Sequence, residues 1–206
     1  MGHRNIIFFG VIVMVLLIVV FLDKQIAGDV AKNEDDLLII PVKVHKIVDE
    51  RGAYTTSRSD QEVLELFEGV NRIWVQGRIY FQVEEIVESD VSFEAIPNAI
   101  NGNYLELFNH PNLNHGVINV FFVQSLNGLN GQTLIHINSV MIADDGNVMD
   151  YRTAAHEIGH LFGLKHIDFS DSLMMQGKNG ELLSNGEIEL ARKNALEFSK
   201  SSFKKF

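Results

Sequence analysis

The sequence predicts an α+β domain of α/β-like order, and three observations predict it. Two runs rich in β-branched residues, Leu37–Val48 (LLIIPVKVHKIV) and Arg78–Val87 (RIYFQVEEIV), flank an amphipathic helical pattern, which reads as a strand, helix, strand unit with a right-handed crossover. A third run, Val117–Val123 (VINVFFV), is almost wholly apolar and suits a sheet interior covered on both faces. Two shorter runs follow: Thr133–Ile137, which alternates as an edge strand does, and Ser139–Ala143.

The helix in the first unit has a start signal and a period. Ser59 and Glu62 have capping-box spacing, and Val63, Phe67, Val70 and Trp74 then recur at four, three and four residues, so one face packs inward. His45 reads as a surface residue of the first strand. From Glu88 to Gly116 the chain is polar and Asn-rich, with Pro97 and Pro111, and reads as a long surface excursion with a short helix near Tyr104–Phe108. Ser184 and Glu187 form a second capping box, opening a structural helix with Ile188, Ala191, Ala195 and Leu196 inward.

Composition excludes several function classes. The 206 residues carry 17 basic and 27 acidic side chains, a net charge of −10 with no local basic patch, which argues against nucleic acid as a partner. With no cysteine, disulfide scaffolds, thiol nucleophiles and Cys-type metal sites are impossible. Residues 6–22 (IIFFGVIVMVLLIVVFL) lack any polar side chain and follow Arg4, so 1–22 reads as a membrane signal anchor, with a cleaved secretory signal and a buried core helix as the alternatives. Residues 23–36 read as a polar tether and 37–206 as the globular domain. The positive-inside rule places that domain outside the cytoplasm, anchored to the membrane or secreted if the segment is cut.

Residues 156–166 read HEIGHLFGLKH. His156 and His160, four apart, share one face of a helix and can point two ring nitrogens at a single ion about 2.0–2.1 Å from each. Glu157 is displaced by roughly 100° and flanks the ion, free to hold a water. Gly163 permits a left-handed turn after the helix, and the reversal can return His166 as a third ligand. Three neutral imidazoles leave zinc a vacant position for water, the arrangement of catalytic rather than structural zinc.

His156, Glu157, His160, Gly163 and His166, followed eight residues after His166 by Met174 in Ser172-Leu173-Met174-Met175, resemble the motif and methionine turn of the metzincin zinc peptidases, in the spacing of the matrixin type. The resemblance implies a twisted, mainly parallel sheet with one antiparallel edge strand, a zinc-binding active-site helix and a small C-terminal helical subdomain. It further implies one catalytic zinc on the three histidines, Met174 as a floor beneath them, and Glu157 as general base for hydrolysis of a peptide bond by metal-activated water. The chain departs from the family in three places. It has no cysteine for latency, it has Gln176 where astacin-like members carry tyrosine, and it lacks the matrixin proline at that position, which leaves the pocket wall Met175–Gly180 undefined by analogy.

The expected partner is a protein or peptide substrate, added as an extra strand along Thr133, Leu134, Ile135, His136 and Ile137. The expected function is an exported zinc endopeptidase; the alternative is a membrane-tethered, zinc-containing peptide-binding domain without turnover. Weaker signals are His110, His115 and His136, which read as loop histidines, and Asp144, Asp145, Asn147 and Asp150, which could hold calcium but read better as a polar turn capping the zinc helix.

Overall fold

A computed structural model describes residues 37–203. The segment 1–22 and the tether 23–36 lie outside them. Among the described residues no helix is long and apolar enough to cross a membrane.

Strands β1 (Leu38–Asp49), β2 (Ile79–Val91), β3 (Ile118–Val123), β4 (Gly131–Leu134) and β5 (Ser139–Ala143) form one sheet in the order β2-β1-β3-β5-β4. Every neighbouring pair is parallel except β4 with β5. Helix α1 (Asp60–Trp74) makes the crossover from β1 to β2, and its capping box is present: Glu62 N–H donates to Ser59 Oγ and Ser59 N–H to the Glu62 carboxylate. Two short helices, α2 (Ala95–Ile100) and α3 (Leu105–Phe108), occupy the excursion, the first of which the sequence pattern did not indicate. Helix α4 (Asp150–Leu161) carries the histidine motif and α5 (Asn185–Phe203) closes the described chain.

Both faces of the sheet are covered, as the apolar β3 run requires. Along β3 and β5 alternate residues point to opposite sides. Ile118, Val120, Phe122, Val140 and Ile142 join α1, α4 and α5 in one core, and Phe121, Val123, Met141 and Ala143 join α2, α3 and the excursion in another. The predicted inward residues of α1 are all buried, and of those of α5, Ala191 and Ala195 are buried and Ile188 packs on the core. Leu196 is a correction: it is 37% exposed, because the helix presents Phe198 to the core instead. Trp74 anchors the first core, with Phe81 and Phe162 edge-on at 5.9 and 5.8 Å, and its Nε1 donates to Ala155 O on α4 at 3.3 Å. The strand–helix unit is thereby tied to the helix that carries the motif.

His45 is a second correction. It is fully buried, because β1 lies between β2 and β3 with both faces covered. Its Nδ1 meets Ser89 Oγ at 2.9 Å, its Nε2 meets Asn119 Oδ1 at 3.0 Å, and its ring stacks on Phe121 at 4.5 Å. Burial, with smaller contributions from Lys43 and His110, lowers its pKa from 6.5 to about 4. The unfolded chain therefore takes up this proton first as pH falls, so stability is complete above about pH 6.5 and declines down to pH 4. His45 should account for a loss of about 3 kcal/mol across that interval. Urea unfolding at stepped pH is expected to give a shallower decline for His45→Gln than for the wild type, the difference between the two chains excluding the share of other histidines.

Candidate metal centre

Helix α4 is positioned from its first turn. Arg58 donates through Nε to Asp144 at 2.7 Å and pairs through Nη2 with Asp150 at 2.6 Å, and Asp144 also accepts from Thr56 Oγ1 and Ser57 N–H. The turn before α4 does not cap it as expected, since the cap residue is Met149 and its side chain makes no capping bond. Two members of the acidic cluster, Asp144 and Asp150, are instead met by Arg58 of the chain itself. From Arg152 to Gly159 the helix is buried, with Glu157 on the rim of a cleft.

The three motif histidines converge. Their Nε2 atoms are 3.1 Å apart for His156 and His166, 3.2 Å for His156 and His160, and 3.0 Å for His160 and His166. His156 Nδ1 lies 2.7 Å from Leu173 O and His160 Nδ1 lies 2.8 Å from Leu164 O. A carbonyl oxygen only accepts, so both Nδ1 atoms carry the proton and both Nε2 atoms present lone pairs to one point. Burial holds His156 down to about pKa 4 and lowers His166 as well, which keeps these rings neutral. Converging lone pairs repel unless a cation lies between them. Two nitrogens bound to one zinc at about 2.0–2.1 Å and a tetrahedral angle are roughly 3.3 Å apart, close to the spacing here, so the donor set fits zinc in identity, charge and spacing.

Gly163 supplies the reversal. Its φ is +82°, and the Gly163 N–H to His160 O and Leu164 N–H to Gly159 O bonds, 3.0 and 2.9 Å, complete a Schellman ending. The same turn that exposes Leu164 O to His160 swings His166 into place. Met174 is fully buried against Gly159, below the helical turn between the first two histidines. Its loop is pinned by Met174 N–H to Ser172 Oγ at 2.9 Å and Ile167 N–H to Met174 O at 3.2 Å.

Glu157 is shaped from the side by β4. Thr133 Oγ1 lies 2.6 Å from its Oε2 and 2.9 Å from its main-chain oxygen, and burial pushes its pKa up against the effect of that hydrogen bond. Two residues earlier on the same strand face, a Cβ on Gly131 would lie 2.8 Å from Glu157 Cγ and 2.8 Å from Thr153 Cγ2. No side chain fits there. The cleft, about 370 Å³, is lined by 128–133, by Arg152, Thr153 and the motif residues of α4, and by Gln176 and Gly177.

The expected edge strand ends early. Thr133 and Leu134 lie in β4, but Ile135, His136 and Ile137 form a 3₁₀ turn closed by Asn138 at φ +49°. The chain must reverse there to pair antiparallel with β5, so the cleft wall is the 128–133 stretch instead. Among the described residues the motif histidines form the one cluster with metal-ligand spacing. His110 Nδ1 accepts from Asn112 N–H and its Nε2 meets Asp90 O, while His115 and His136 lie against Phe108 and Tyr104. Sequence reasoning missed Gly131 and Arg152. The first gives no signal of a close approach, but Arg152, four residues before His156, sits on the same helix face and was there to be read.

No family model and no curated protein matches the sequence. Solved structures do. A promirolysin variant from Tannerella forsythia superposes with a TM-score of 0.56 at 14% identity, covering 89% of this chain and 93% of that one. The archaemetzincin of Methanopyrus kandleri gives 0.50 at 13% identity over 78% of this chain and 97% of that one. The fold is metzincin-like. Metalloproteinase-II from Bacteroides fragilis gives 0.50 at 12% identity over 76% of this chain and 53% of that one, so the chain spans about half the length of that protein.

Zinc held by three preset imidazoles should stabilise the metzincin-like domain by about 2.7 kcal/mol at a free concentration a hundredfold above its dissociation constant. A thermal melt with and without zinc is expected to show that shift, with a chelator reversing it. His166→Ala should abolish the shift while barely moving the melt of the metal-free chain, since His166 is exposed.

Proposed function

We propose that the chain is a zinc-dependent endopeptidase. The observation that carries this reading is the meeting of three ring nitrogens within 3.2 Å of one another, with the buried Glu157 next to the first of them in sequence and outside the ligand cluster. His156, His160 and His166 would hold the ion. When bound, zinc supplies a Lewis acid that polarises the scissile carbonyl and acidifies water.

The remaining chemistry belongs to the chain's own side chains. Glu157 takes a proton from the attacking water on one carboxylate oxygen and later delivers it to the departing amine, its raised pKa making it the stronger base. Thr133 holds Oε2 and so fixes which way the carboxylate turns. The free edge of β4, whose other edge pairs with β5, would take an extended substrate strand through main-chain hydrogen bonds that are indifferent to side-chain identity. Protein or peptide substrates follow from that docking mode.

The finer assignment is matrixin-like, supported by the eight-residue interval from His166 to Met174. The extracytoplasmic, membrane-anchored location is supported by the apolar stretch 6–22 and the flanking Arg4. The domain assignment, with 37–206 as the catalytic unit, rests on the strands, helices and histidine cluster within 37–203.

Two substitutions test the assignment. Glu157→Gln should leave zinc stoichiometry intact while cleavage of a generic protein substrate falls by about three or more orders of magnitude. Equal cleavage by the two chains would remove the catalytic reading, and absence of cleavage by the zinc-loaded wild type would favour a peptide-binding domain. Thr133→Val should lower kcat about tenfold or more with KM and zinc content unchanged, and Thr133→Ser should restore most of it.

A further inference from the structure

The cleft contains a cation that the reaction described above does not use. Arg152 lies four residues before His156 on α4 and is 3% exposed. Its Nε donates to Gly180 O at 3.1 Å, and its Nη2 donates to Leu173 O and Met175 O. Three of the five guanidinium N–H groups are thus taken by the loop that follows the metal centre, and among the described residues Glu157 and Glu181 attract the cation only from beyond ion-pairing distance. The two N–H groups of Nη1 have no acceptor among the described residues. Nη1 is also absent from the sealed polar atoms that lack a partner, so it keeps accessible surface, and Arg152 lines the cleft between Thr153, His156 and the Gln176–Gly177 wall.

A buried cation with two donors left over on the wall of a cleft restricts what can enter. An apolar side chain pressed on Nη1 would strip water from both donors and return nothing, and a lysine or arginine would place like charges together. A carboxylate would accept from Nη1 and neutralise the charge, and an amide oxygen would accept without neutralising it. A site built to hydrogen-bond its substrate rejects analogues lacking that group more sharply than an apolar pocket rejects a misfit.

We propose that Arg152 is a specificity-determining residue whose Nη1 lines the side-chain pocket beside the three-histidine centre and selects substrates with an acidic residue flanking the cleaved bond, then amide, over apolar and basic ones. The proposal rests on the endopeptidase reading for its substrate class, and its test separates the two.

The full-length, zinc-loaded chain in detergent is given peptides identical except for Asp, Glu, Asn, Leu or Lys at each position flanking the cleaved bond. The kcat/KM for the better of Asp and Glu should exceed that for Leu at least tenfold at one of the two positions, with Lys the poorest. Arg152→Gln should level the series, and Arg152→Lys should keep part of the acidic preference. Should these variants fail to fold, the wild-type ranking decides alone: Leu or Lys ranked first overturns the proposal. Binding of the same peptides to zinc-loaded Glu157→Gln is measured in parallel by calorimetry. Acidic peptides that bind at least tenfold tighter without being cleaved by the wild type would end the endopeptidase reading and leave the pocket standing. Equal affinity across the series, or no binding of any peptide, overturns the pocket.

Discussion

The site depends on two main-chain carbonyls. Leu173 O and Leu164 O accept from the Nδ1 atoms of His156 and His160, and that fixes which nitrogen of each ring is bare. Without those acceptors either ring could carry its proton on Nε2, and binding a cation would first require that proton to move, which weakens the affinity about 10–100-fold. Both carbonyls belong to loops whose shape is set elsewhere. Leu164 O is placed by the left-handed Gly163, and Leu173 O by the hydrogen bonds that pin the methionine loop. The metal centre is therefore a property of two chain reversals as much as of three histidines.

Much of this was legible because the chemistry is local. Residues four apart on a helix share a face, so His156 and His160 could be paired from spacing, and a glycine three residues after His160 announced the turn that brings His166 back. The sheet was legible for a related reason: the β3 run is apolar on both faces, and only a covered, parallel interior strand tolerates that. What sequence pattern could not supply was the position of a residue relative to distant elements. His45 alternates in a strand like a solvent-facing residue, and only the covering of both faces by α1 and by the excursion buries it. The end of β4 is similar. The run Thr133–Ile137 alternates correctly, yet Ile135 to Ile137 curl into a 3₁₀ turn because the chain must reverse to meet β5.

Gly131 shows the limit most sharply. Nothing nearby in sequence marks it, and its reason lies about two dozen residues later, in the stem of Glu157 packed against its Cα. Thr133 reads as an alternating strand residue and turns out to hold the carboxylate through its hydroxyl. One face of a short edge strand is thus cut to the outline of a single glutamate. If the opposite edge of that strand takes a substrate strand as proposed, docking and orientation of Glu157 are mechanically joined through two residues of β4.

Leu173 O also receives Arg152, so one oxygen serves two partners with different tasks. It sets the tautomer of His156, and with Met175 O and Gly180 O it holds a guanidinium at the wall of the cleft. On the proposed role of Arg152, that sharing removes the independence between holding metal and choosing substrate. Any change in the 173–180 loop that moves this carbonyl disturbs the lone pair on His156 and the direction of Arg152 together. A loop under that double constraint has little freedom to vary at its main chain, and Gly177, at φ +66°, shares that constraint, whereas Gln176, which lines the cleft without making those bonds, can change its side chain without disturbing either. Divergence in specificity at fixed metal chemistry should therefore concentrate at Gln176, whereas a change at Arg152 would release the carbonyl that sets the His156 tautomer.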